Sequence, residues 1–172
     1  MSNSKVASAA EAPDSLELQV KAALVYNFAK FVEWPESAGK RRTLTFCFFG
    51  AEALFAEFGR NIDGKSINAH TLAALQVTIP IEAQRCQIAF IGATEKRQVD
   101  AHLDAMASGL ILTISEFDQF ARRGGMIELI KEANKLRFII NVDALTLNGL
   151  RISSKLLQLA RVVHQSGESR KP

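Results

Sequence analysis

The groups in this sequence whose types could carry chemistry are few: two cysteines, three histidines, and a handful of polar residues set in apolar segments. Cys47 and Cys86 both stand beside apolar, strand-like residues. A bridge between them would span a separation of 39 residues. Chain-entropy arithmetic makes such a bridge worth about 4 kcal/mol if its geometry is unstrained. The other reading is two buried free thiols, packed as small hydrophobes, and composition alone favours it. His70, His102 and His164 fall in different predicted elements, none with a Cys, His or acidic residue at metal-ligand spacing, so no metal site is expected. Gly50, Gly59 and Gly64 do not reproduce the Gly-x-Gly-x-x-Gly turn, and no phosphate-cradling Gly-x-x-x-x-Gly-Lys-Ser/Thr occurs, so no nucleotide cofactor is expected. Asn27 and Asn141 lie among apolar residues, where an amide must find partners, either as a structural lock or as part of a pocket. Arg137, Asp143 and Arg151 surround Asn141 in sequence, and the four form a candidate ligand-binding group; the plainer alternative is a solvated edge.

Such groups need a scaffold, and the totals describe one. With 48% hydrophobic and 23% charged residues over 172 positions, the chain can bury a core of its own. Its net charge of +3 comes from basic residues scattered in pairs such as Arg41-Arg42 and Arg122-Arg123, which argues against a nucleic-acid partner. No apolar run approaches the roughly 18 residues a membrane span needs. No hydrophobic signal core precedes Val20, while residues 6–12 have the small-residue spacing found near a signal-peptidase cut. The sequence reads as the mature form of an exported chain.

Residues 1–15 are rich in Ser, Ala and Pro and read as a disordered tail. Leu16, Val20, Ala23, Leu24, Asn27, Phe28 and Phe31 then fall on one helical face, with the Glu17–Lys21 pair opposite and Asp14 or Ser15 as cap. Pro35 ends this helix at Trp34. Residues 44–50 (LTFCFFG), 87–92 and 110–114 are apolar runs of strand length, and helices are expected over 52–58 and 95–106. Short strands are expected over 66–69 and 75–79. Repeated β-α units predict an α/β fold with a mostly parallel central sheet flanked by helices. Residues 126–130 and 136–140, joined by a polar turn, add an antiparallel edge hairpin near the C-terminus. A short helix over 143–148 stops at Gly149, and a longer one follows from Ile152 to Val163, capped by Ser153 or Ser154. One domain, residues 16–164, precedes a frayed tail at 165–172.

Residues 20–35, VKAALVYNFAKFVEWP, closely resemble the opening signature of the YfiR family, an amphipathic helix with a Tyr-Asn-Phe core that ends in Trp-Pro. The resemblance continues through residues 44–50, the Cys86 strand, Gly124-Gly125-Met126, LRFIIN at 136–141 and GLRISSKLLQLA at 149–160. It implies a non-catalytic periplasmic inhibitor that binds the sensory region of an inner-membrane diguanylate cyclase, lowering cyclic-di-GMP and biofilm formation. It further implies a homodimer, sensitivity to envelope redox state through disulfides, and small nucleotide-like or aromatic ligands. By position, Cys47 and Cys86 match the family's bridge-forming pair, so the resemblance reverses the preference for free thiols. With no other cysteine, the second bridge of some relatives cannot form.

Two further hypotheses stand beside this one. A ligand-sensing module would use the polar group at Arg137, Asn141, Asp143 and Arg151. An enzyme would need converging groups at strand ends, where only Glu52, Thr94 and Glu116 stand, and these read better as helix-start caps. If the chain contacts a partner, exposed apolar residues rimmed by charge should do it. Phe55, Phe58, Phe117 and Phe120 are candidates, with core packing the plainer use.

Overall fold

The computed structural model describes residues 3–35, 41–92, 97–107 and 109–163. The fold is α/β. Five parallel strands form the middle of an eight-stranded sheet of order β10-β8-β7-β6-β5-β2-β4-β3. They are β4 (His70–Val77), β2 (Thr43–Phe49), β5 (Ile88–Ile91), β6 (Leu112–Ser115) and β7 (Ile127–Glu132). β8 (Lys135–Asn141) returns antiparallel to β7 through the Ala133-Asn134 turn, and β3 (Ser66–Ile67) lies antiparallel to β4.

Strand β2 sets the layers. Its side chains alternate, so Leu44, Phe46 and Phe48 enter one core and Cys47 and Phe49 the other. The first core takes α1 (Asn3–Phe31), α2 (Glu52–Ile62), α4 (Val142–Leu147) and α5 (Ser154–Leu159). Aromatic contacts tie it together: the rings of Phe46 and Phe58 lie 4.5 Å apart and those of Phe28 and Phe138 4.9 Å apart. The second core takes α3 (Val99–Met106), a 3-10 turn at Pro80–Arg85, and Phe117 and Phe120 from the loop after β6. Within it Cys47 and Cys86 form a disulfide with both residues buried and Cα atoms 5.8 Å apart.

Several expectations need correction. α1 begins at Asn3, inside the stretch expected to be a tail, so neither Asp14 nor Ser15 caps it; Ala7, Ala9, Ala10 and Ala12 are strong helix formers. It ends at Phe31 rather than Trp34, because Val32 and Glu33 form β1 and pair with β9 (Arg151–Ile152). The helical face is also rotated. Ala22, Val25, Phe28 and Ala29 are buried, whereas Leu16 and Val20 stand 63% and 46% exposed and Lys21 is 8% exposed. At the other end, Ser153 caps α5 as expected, but the helix is only six residues long. Arg161–Val163 form β10, which adds outside β8, so the hairpin sits one strand in from this edge. β-branched Val162 and Val163 suit a strand better than a helix. Gly149 ends α4 at φ 76°, with the amides of Gly149 and Leu150 bonded to the carbonyls of Thr146 and Leu145. His164, the 165–172 tail, Thr94 and the expected start of α3 at Glu95 lie outside the described residues.

The bridge joins strand β2 to the end of the 3-10 turn just before β5, and both cysteines are buried. A Cys47→Ala/Cys86→Ala variant should therefore lose about 4 kcal/mol of unfolding free energy, read from its urea midpoint. A loss under about 1 kcal/mol would show that the bridge constrains the unfolded chain far less than its loop length implies.

Candidate functional site

The loop between β6 and β7, residues 116–126, is fixed from below by buried polar side chains. The Ser115 hydroxyl donates to the Ile91 carbonyl at 2.6 Å and accepts from the Phe117 amide at 3.0 Å. The Glu128 carboxylate, 3% exposed, accepts from the amides of Gln119 and Ala121 at 3.1 and 2.9 Å. Asn141 donates to the Ala121 carbonyl at 2.7 Å and accepts from the Ala144 amide at 3.0 Å, capping α4. Thr113 accepts from the Met126 amide at 3.0 Å. Each of these groups satisfies backbone that would otherwise be buried without a partner. Gly125 completes the packing, since a Cβ there would fall 2.1 Å from the Phe120 ring.

Against this loop lies the middle of α1, at Glu17 and Lys21. Lys21 reaches across and pairs with Glu116 at 2.6 Å and with Glu17, one turn back, at 3.0 Å. Glu17 in turn pairs with Lys131 of β7 at 2.6 Å. Alternating charges thus link helix, loop and sheet. Hydrogen bonds from Lys131 and then Lys21 hold the Glu17 carboxyl below its ordinary range. For Lys21 burial disfavours the ammonium, but the bonds to Glu116 and Glu17 outweigh it and hold its pKa above the usual value. A lysine so held stays charged at neutral pH and is no nucleophile or base.

These residues, with Asp118, Leu129, Ile130 and Leu136, line a cavity of about 270 Å³. It adjoins a groove of about 630 Å³ lined by Leu16, Glu17, Val20, Lys131, Asn134, Lys135 and Leu136. The exposed Leu16 and Val20 of α1 therefore face the β7–β8 hairpin across a groove rimmed by Lys131, Lys135 and Glu17. Exposed apolar residues rimmed by charge are the make-up of a contact surface.

The residues singled out from sequence lie elsewhere. Arg137 is exposed on β8 with Glu132 at 3.7 Å, Asn141 is fully buried, Asp143 stands in the first turn of α4, and Arg151 is exposed on β9 opposite Glu33. Arg137 and Arg151 belong to different sheets. The disulfide occupies the other core from α1. Phe58, Phe117 and Phe120 are buried and Phe55 half-buried, so core packing accounts for all four. Sequence signalled only the Glu17–Lys21 spacing; Glu116, Glu128 and Lys131 joined it through the fold. Among the described residues no cluster of His, Cys, Asp and Glu could hold a metal, and no helix is long and apolar enough to cross a membrane.

The family model described as YfiR/HmsC-like matches residues 18–161. The chain belongs to the YfiR/HmsC-like family. The family is generally a regulatory, non-catalytic one. Among solved structures, the YfiR/HmsC-like chain is similar to a conserved domain protein from Vibrio cholerae O1 biovar El Tor str. N16961. The TM-score is 0.59 at 10% identity, over 84% of this chain and 59% of that one, a likeness of fold alone. The chain thus spans 59% of that neighbour's length. No curated protein matches the sequence.

Replacing Lys21 with Met should cost about 1–2 kcal/mol at neutral pH, less than a fully buried pair because Glu17 and Glu116 keep 28% and 32% of their side chains exposed. Glu17's contribution is present above its ordinary value of 4.5 and is lost as pH falls through its lowered folded value. Lys21's is present below 10.5 and is lost as pH rises through its raised folded value. Urea unfolding across pH should therefore show the deficit of Lys21→Met shrinking at both extremes; a deficit independent of pH would assign it to packing.

Proposed function

We propose that this YfiR/HmsC-like protein is a non-catalytic periplasmic repressor. It binds the sensory region of an inner-membrane diguanylate cyclase, holds the enzyme inactive, and so lowers cyclic-di-GMP and biofilm formation. Family membership supports the partner class, and the observation that carries the contact face is the exposed Leu16–Val20 pair. These side chains sit over a charged-rimmed groove whose neighbouring loop and helix are tied down by hydrogen bonds and ion pairs, an arrangement that lowers the cost of ordering the face on binding. Repression then requires only that the inactive cyclase bind better than the active one. A differential of about 3 kcal/mol changes a rare active fraction by more than about a hundredfold. The disulfide fits an oxidising compartment, where such bonds persist. A homodimer belongs to the same reading. For the group at Arg137, Asn141, Asp143 and Arg151, the backbone bonds of Asn141 favour a structural role over a ligand site.

Deleting the gene should raise cellular cyclic-di-GMP, and the wild-type gene should restore the lower level. Leu16→Glu/Val20→Glu should fail to restore it while changing stability by no more than about 0.5 kcal/mol per exposed site. Full restoration by that variant would remove this face from the mechanism, and an unchanged level on deletion would overturn the function.

A further inference from the structure

Helix α1 is held to the body of the protein in two different ways. From Ala22 onward the attachment is burial: Ala22, Val25, Phe28 and Ala29 are shut in the aromatic core. One turn earlier it is electrostatic. Leu18 is the apolar side chain of residues 15–21 that packs on that core, and it is only partly buried, while Leu16 and Val20 stand exposed. The ties here are the pairs of Lys21 with Glu116 and Glu17, and of Glu17 with Lys131. The Lys21 side chain is 10% exposed, so its ammonium depends on those two carboxylates for compensation. Asp118 of the loop and Glu128 and Lys131 of β7 line the same cavity, and Lys135 of β8 lines the adjoining groove. Lys131 is paired with Glu17, Glu128 is turned to the amides of Gln119 and Ala121, and Asp118 is a carboxylate like the two already engaged.

We propose that Glu116, Lys21 and Glu17 form an acid-released latch: when the two carboxylates take up protons, the ammonium left unpaired in the interior drives the middle of α1 off the β6–β7 loop, while the carboxyl half of the helix stays packed. Acid acts on one attachment and spares the other. A buried charge stripped of its partners is strongly destabilising, whereas the apolar burial of Val25 and Phe28 does not depend on protonation. Nor does the lysine yield first: burial pulls its pKa down, but the bonds to Glu116 and Glu17 outweigh this and hold it above 10.5. Hydrogen bonds from Lys131 and then Lys21 hold Glu17 below the usual 4.5. Its contribution is therefore complete above 4.5 and is lost as pH falls through the lower folded value, so the latch is shut at neutral pH and opens in acid. Off the loop, so short a helical segment has little to keep it ordered. The functional consequence rests on the repressor reading above: the Leu16–Val20 face is lost with the latch, and acid relieves repression.

The test needs no partner, so its outcome is separate from that of the repressor reading. Amide hydrogen exchange of the intact ¹⁵N-labelled protein is followed by NMR from about pH 6 to about pH 3, each rate being divided by its intrinsic value at that pH. Protection of the amides from Leu16 to Leu24 should fall at least about tenfold over this range, while Phe28, Cys47 and Ala89 keep theirs. Lys21→Met leaves acid no buried cation to expel, and its helix should stay protected down to about pH 3. Glu17→Gln/Glu116→Gln should show the loss already at about pH 6, and this variant decides if Lys21→Met does not fold. Loss of protection at the same pH throughout α1, β2 and β5 would overturn the proposal, because the transition would then be global unfolding. So would unchanged protection in acid, an acid response that survives in Lys21→Met, or wild-type protection of the double glutamine variant at about pH 6.

Discussion

Strand β2 has no solvent face, and the rest of the architecture follows from covering it. Phe46 and Phe48 on one side and Cys47 and Phe49 on the other must both be shielded, so helices are needed on both faces and parallel neighbours on both edges. The longest helix, α1, takes the face with the larger aromatic content and packs Ala22, Val25, Phe28 and Ala29 on it. The opposite face receives the 3-10 turn, and the disulfide fixes the end of that turn to β2 just before β5 begins. With α1 placed by its carboxyl half, its middle, at Glu17 and Lys21, lies beside the β6–β7 loop and the β7–β8 hairpin.

Polar interior groups then convert that placement into a defined surface. Ser115, Glu128 and Asn141 each lie at or below a twentieth of full exposure, and each spends its hydrogen-bonding capacity on loop or helix backbone. Removing any one would strand buried amides or carbonyls, so these residues specify one loop conformation rather than add general stability. The Glu116–Lys21–Glu17–Lys131 chain holds the helix to that loop and to the sheet. Leu16 and Val20, turned away from Lys21 around the helix, stand exposed.

Much of this was legible in sequence. Apolar runs of strand length identified β2, β5 and β6, and the polar turn between two apolar runs identified the hairpin. What periodicity misjudged was the face of α1. Over residues 16–21 hydrophobicity favours burying Leu16 and Val20, and an inward Lys21 is tolerable only because Glu116, 95 positions away, pairs with it while Lys131 holds its other partner, Glu17. A pattern confined to one helix cannot contain those partners. The same holds for Asn141, whose use depends on the Ala121 carbonyl of a distant loop. Residues 152–163 carry a helical apolar pattern, but strand pairing with β8 captures the last three. The Cys pair could not be decided by composition and was decided by the family resemblance, with which the structure agrees.

As the proposed repressor, this YfiR/HmsC-like protein acts through a contact surface whose output is the state of another molecule, and backbone amide exchange on a complex reads that contact directly. Purified protein mixed with the isolated sensory domain of a membrane diguanylate cyclase from the same organism should form a stoichiometric complex. Exchange should slow around Leu16 and Val20 and in the β7–β8 hairpin from Lys131 to Leu136. A complex that leaves those segments unprotected and shields other surfaces would contradict the account, as would failure to form any complex.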